Sequence, residues 1–146
     1  MEAVNELEPE PELELEQVLA ANQRFYAAFG ALSVEQMSTV WLHEDWVQCV
    51  HPGWQLLQGW DEVRASWAKI FTGTQRVKLE IGNVSAHLEG EVAWVACTED
   101  VLSSFERGFD QAQLQATNIF VRRGDSWWMV AHHASPLPPA AEPTLQ

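Results

Sequence analysis

Five histidines, two cysteines and one carboxylate set in an apolar stretch are where this sequence could do chemistry. His51 stands at a strand end in the turn His51-Pro52-Gly53. Imidazole titrates near neutrality, so His51 could act as a general base or as a ligand's hydrogen-bonding partner; the ordinary alternative is a plain turn residue. Glu99 falls on the alternation Val95, Cys97, Glu99, Val101, with Asp100 on the other face. A carboxylate on an apolar strand face must pair or shift its pKa. Beside an inward histidine, Glu99 would form a carboxylate–imidazole pair suited to acid–base work or to orienting a ligand. The alternative is a rim ion pair with Arg122 or Arg107. His132 and His133 are neighbours on a strand and point to opposite faces. Shared parity with Trp127 and Met129 selects His133 as the inward one, unless a bulge swaps the pair. The catalytic set expected is thus His51, Glu99 and His133, with His132 kept as a ligand-binding position.

Other chemistries find little support. His43, His51, His87, His132 and His133 show neither an HExxH pattern nor i,i+4 pairing, so no metal is expected. Cys49 and Cys97 lie in apolar runs outside any CxxC spacing and read as small hydrophobes. There is no nucleophile-elbow serine and no glycine-rich phosphate loop, so no cofactor is expected. The net charge is −13, and seven glutamates fall between Met1 and Glu16. A surface of that sign repels phosphate, which argues against nucleic acid and against an anionic membrane surface as partners. No apolar run approaches the ~18 residues of a spanning helix. The first residues lack the basic and apolar regions of a signal peptide, which makes the cytoplasm the default location.

Eight tryptophans accompany a single tyrosine. That is more large rings than a small core needs, so some are expected to wall a cavity or a subunit interface. Trp41, Trp46, Trp54, Trp67 and Phe71 read as pocket wall or as core, with core the ordinary reading for any single ring. Asn118, alternating with Phe120, could donate to a carbonyl or satisfy a buried neighbour. A small hydrophobic ligand is the expected occupant.

These residues need elements to hold them. Residues 1–13 read as an acidic disordered tail and residues 136–146 as a proline-rich tail, leaving a folded domain over 14–135. Helical spacing of Leu15, Val18, Leu19, Asn22, Phe25, Tyr26 and Phe29 predicts a first helix from Glu14 to Ala31. Ser33 to Gln36 is a capping-box pattern for a short second helix. A strand over 45–51, a short return strand over 54–57 and a third helix over 61–71 follow. Four long antiparallel strands are predicted over 74–87, 92–105, 111–123 and 126–134. Helices first and strands last imply an α+β fold with the helices on one face of the sheet.

The stretch from Thr117 to Ser135 is a Thr-x-hydrophobic-aromatic strand, a charged turn, and a strand ending in histidines and a serine. With the His-Pro turn and glycine-led helix between Trp46 and Phe71, it resembles the nuclear transport factor 2-like superfamily, in particular SnoaL-like domains and the association domain of calcium/calmodulin-dependent kinase. The resemblance covers 14–135. It implies a cone-like barrel, a curved and mainly antiparallel sheet wrapped around three N-terminal helices. It also implies a sheet-to-sheet homodimer, with Trp94 or Trp128 supplying apolar contact. A SnoaL-like pocket would bind a small hydrophobic ligand and, if catalytic, move a proton without a cofactor, as an isomerase, cyclase or dehydratase does. The other implied function is a non-catalytic association module. Compared with ketosteroid isomerases, His51 takes the place of the aspartate base. Phe25 matches the first-helix tyrosine, Trp67 the second tyrosine, and Asn118 the neutral aspartic acid, so steroid isomerisation is not expected. The arginines of the kinase pocket match Glu99, Asn118 and Ala134, so an anion site of that kind is not expected either.

Overall fold

A computed structural model describes residues 10–138. Helix α1 spans Pro11–Gly30, α2 Val34–Ser38 and α3 Trp60–Thr72. The strands are β1 Gln48–Val50, β2 Leu57–Gln58, β3 Arg76–Glu89, β4 Val92–Phe105, β5 Gly108–Arg123 and β6 Ser126–Pro136. They form one sheet in the order β2-β1-β6-β5-β4-β3. Only β1 and β6 run parallel; the other neighbours are antiparallel. The α+β class and the curved, mainly antiparallel sheet agree with expectation. The sheet does not close into a true barrel: β2 and β3 remain edges, and α1 lies across β3 and β6.

Helix α1 starts at Pro11, three residues before the predicted boundary, because proline is well placed in a first helical turn. The boundary placed at residue 13 therefore moves to Glu10, and the remainder of that acidic tail, residues 1–9, lies outside the described residues, as do 139–146 of the proline-rich tail. Strand β6 runs two residues past Ala134, since Pro136 and Leu137 still align with Leu114 and Gln113. The buried stripe of α1 is Glu14, Val18, Ala21, Asn22, Phe25, Tyr26 and Ala28, a helical period with three polar members. Ser33 caps α2 by accepting from the Gln36 amide at 3.0 Å. The turn after β1 is closed by the Trp54 amide donating to His51 O at 2.9 Å, with Gly53 at φ 83°. Proline followed by a left-handed glycine suits such a turn and fixes His51 at its first position.

Two irregularities shape the sheet. In β3 the register shifts between Gly82 and Ser85, with Asn83 at φ 50°. In β6 Val130 is an extra residue: Ile119 pairs Ala131 while Phe120 pairs Met129. The Met129 amide donates to Val40 O and its carbonyl accepts from the Leu42 amide, both at 2.9 Å, so the chain before β1 also anchors β6 at this bulge.

Candidate acid–base site in the sheet cavity

The bulge decides which histidine faces inward. Before it Trp127 and Met129 are buried; after it the buried residues are His132 and Ala134. His133 is exposed and His132 buried, so the inward position expected for His133 is corrected to His132. Alternation from Trp127 holds as far as Met129, and one extra residue at Val130 inverts it.

His132 Nδ1 lies 2.6 Å from Asn118 Oδ1. An amide oxygen only accepts, so Nδ1 carries the proton and Nε2 is left as an acceptor. Asn118 spends its two N–H groups on Asn22 Oδ1 at 2.8 Å and on the Tyr26 hydroxyl at 3.1 Å. The Tyr26 hydroxyl in turn donates to Glu99 Oε2 at 2.6 Å and sits 3.3 Å from Cys97 Sγ. A continuous hydrogen-bonded chain thus joins β6, β5, α1 and β4. On the other side, Ser66 donates to Val63 O at 2.7 Å and approaches His51 Nε2 at 2.8 Å. With its single proton used, the serine accepts from His51, which places that proton on Nε2 and the lone pair on Nδ1.

Burial is the main cause of the protonation states. Desolvation lowers His51 to about 4. Desolvation, then the neighbouring His51 and His133, lowers His132 to about 3. Both imidazoles are therefore neutral at physiological pH. Desolvation raises Glu99 above the usual carboxylate range, partly offset by the bond from Tyr26. It also pushes the Cys49 and Cys97 thiols up, so neither is an activated nucleophile.

His51, Glu99 and His132 line one cavity of about 250 Å³, walled chiefly by Phe29, Trp54, Trp67 and the inner faces of β4 and β5. Trp67 separates the imidazoles, with its ring 4.7 Å from His51 and 5.9 Å from His132. Of the other expected wall residues, Trp54 lines the cavity from its rim. Phe71 is buried behind Trp67 at 5.4 Å. Trp41 is buried elsewhere, bridging to Met129 and facing Trp60 at 6.1 Å. Trp46 is exposed, on the face opposite to the alternating buried residues Val47, Cys49 and His51. Asn118 is fully buried, does not line the cavity, and is hydrogen-bonded to His132 and Tyr26.

Arg122 does not pair with Glu99. It lies 3.4 Å from Glu14 and from Glu91 at the far end of the sheet. Sequence reasoning missed Tyr26, Asn22 and Ser66. Asn22 and Tyr26 were legible as polar residues four apart on an apolar helical face. Ser66 left no such signal.

The profile described as the SnoaL-like domain matches residues 18–140. A candidate dehydratase of the NTF2-like family from Streptomyces avermitilis is 36% identical, covers 88% of this chain and 99% of its own, and superposes with a TM-score of 0.83. A candidate calcium/calmodulin-dependent protein kinase type II association domain from Thiobacillus denitrificans is 35% identical over 89% of this chain and 97% of its own, with a TM-score of 0.73. Among curated proteins, the F-box protein SKIP8 of Arabidopsis thaliana is 26% identical over 118 residues, which is 81% of this chain. The chain spans about half of that relative's length, 48%.

Proposed function

The chain belongs to the SnoaL-like domain family, and from that premise we propose that its cavity binds a small, largely apolar ligand and moves a proton on it without a cofactor, as an isomerase or dehydratase does. The observation that carries this reading is the convergence of His51 after β1, Glu99 of β4 and His132 of β6 on one cavity. Perturbed titratable groups gathered in a cleft are the usual mark of acid–base chemistry. The neutral imidazoles offer lone pairs at His51 Nδ1 and His132 Nε2. One of them takes a proton from a carbon next to a carbonyl. Returning it to another atom of the ligand is an isomerisation; delivering it to a departing hydroxyl releases water and is a dehydration. Glu99 Oε1 receives no hydrogen bond from any described residue, so it is free to orient the ligand's polar head. The candidate dehydratase from Streptomyces supports the reaction class by similarity.

The test is a thermal-shift screen of small aromatic and hydroxycarbonyl compounds on the wild type and on His51→Ala. A compound that stabilises the wild type and loses its effect in the variant supports the site. Compounds that stabilise both proteins equally place the ligand elsewhere and sink the reading.

A second reading, a self-associating module, is favoured by one feature. The outer face of the sheet exposes Trp94 and Val92 beside half-buried Ile119, Val121 and Trp128. A second copy laid sheet to sheet would cover this strip. The similarity to the Thiobacillus association domain points the same way, and the two readings are compatible because the cavity opens on the opposite face. No described helix is long and apolar enough to cross a membrane.

A further inference from the structure

Glu99 is 1% exposed and, among the described residues, has no cationic partner. A carboxylate held in that way is costly unless something compensates its charge. The cavity wall contains one further charged residue, Asp110, and no lysine or arginine. Lys69 stands outside the wall, its Nζ 5.9 Å from the centroid of Trp54. The groups facing Glu99 are Tyr26 of α1, Cys49 of β1 and Cys97 of its own strand, none of them a cation. The remaining wall is mainly apolar and includes four aromatic side chains, Phe29, Trp54, Trp67 and Phe105.

Resting on the reading of this cavity as a ligand site, we infer that its ligand carries a protonated amine beside an apolar body, with the ammonium held by Glu99 Oε1. Three features meet in that assignment. Glu99 lines the cavity, and its Oε1 receives no hydrogen bond from a described residue, while Tyr26 already supports Oε2 as an acceptor. Aromatic walls attract a cation through their ring faces. Neutral imidazoles add no repelling charge, and the −13 net charge of the chain favours approach of a cation over an anion. Pairing with an ammonium also favours the ionised carboxylate that burial opposes.

The probes are 2-phenylethylamine, 2-phenylethanol and phenylacetate, which share a ring and differ in the charge of the head. Isothermal titration on the full chain at neutral pH is expected to rank the amine about tenfold or more above the alcohol, with phenylacetate weakest. In Glu99→Gln, which keeps an acceptor for Tyr26, the advantage of the amine over the alcohol should disappear. Equal or tighter binding of the alcohol or phenylacetate by the wild type overturns the cation assignment and leaves the ligand site standing. An amine preference that survives in a folded Glu99→Gln overturns the role given to Glu99. Failure of all three probes to bind overturns the cation assignment; the separate thermal-shift screen then decides whether the cavity takes other ligands.

Discussion

Tyr26 stands one position from Phe25, the residue that the resemblance leads one to match with the first-helix tyrosine of the isomerases and that has no hydroxyl. The Tyr26 hydroxyl is hydrogen-bonded to Glu99 and Asn118 behind the cavity wall. Tyr26→Phe keeps the ring packing against Phe25, 4.7 Å away, and removes one donor and one acceptor. The expected cost is about 1–3 kcal/mol of stability in urea unfolding, because Glu99 and Asn118 each lose a buried partner. The two buried histidines set the response to acid. Their folded pKa values lie below the ordinary 6.5, so their contribution is fully present above that value and is lost as pH falls toward about 4 for His51 and about 3 for His132. For His51 alone this is on the order of 3 kcal/mol. Glu99 has the opposite sign: its raised folded pKa costs stability at neutral pH, and that cost fades as pH falls through it. Denaturant midpoints should therefore fall between pH 6.5 and 4.5, and fall more steeply in Glu99→Gln. A midpoint that stays flat over this window would count against buried neutral imidazoles. Proton abstraction by either histidine should likewise be independent of pH across the neutral range.

At the level of elements, periodicity suffices wherever the chain is regular. The apolar stripe of α1 and the alternation along β4 are enough by themselves to mark Val18, Phe25, Val95 and Glu99 as inward, and all four are buried. Legibility fails where backbone geometry departs from its period. The bulge at Val130 is flanked by hydrogen bonds of Met129 to Val40 O and from the Leu42 amide, nearly ninety positions away in the chain, which no local pattern reveals. Trp46, by contrast, obeys the period: it alternates with the buried Val47, Cys49 and His51 and so faces out. The second bulge offers a check on such features. Asn83 adopts φ 50° and donates to Thr98 Oγ1 at 3.1 Å. Asn83→Val should cost about 1–2 kcal/mol or more, since a β-branched residue is strained in that region, whereas Asn83→Gly should cost less. Thermal melts of the two variants make the comparison; equal losses would mean that the side-chain bond, not the backbone, holds the kink.

For the whole molecule, the sheet separates two surfaces of different character. The inner face carries the cavity and the hydrogen-bonded chain, and the outer face carries the exposed strip around Trp94. If that strip joins two copies, light scattering at micromolar concentration will report a dimer, and Trp94→Asp will shift it to monomer without altering ligand-dependent melting. A wild-type monomer under those conditions removes the association reading and leaves the cavity untouched. The extra residue of β6 bears on both surfaces at once. Each side chain beyond it owes its facing to that insertion, so one codon gained or lost in frame would exchange His132 for His133 across the sheet. In a lineage of such chains, a three-base event could thus retire an old interior and expose its groups to a partner, with the fold conserved and no residue substituted.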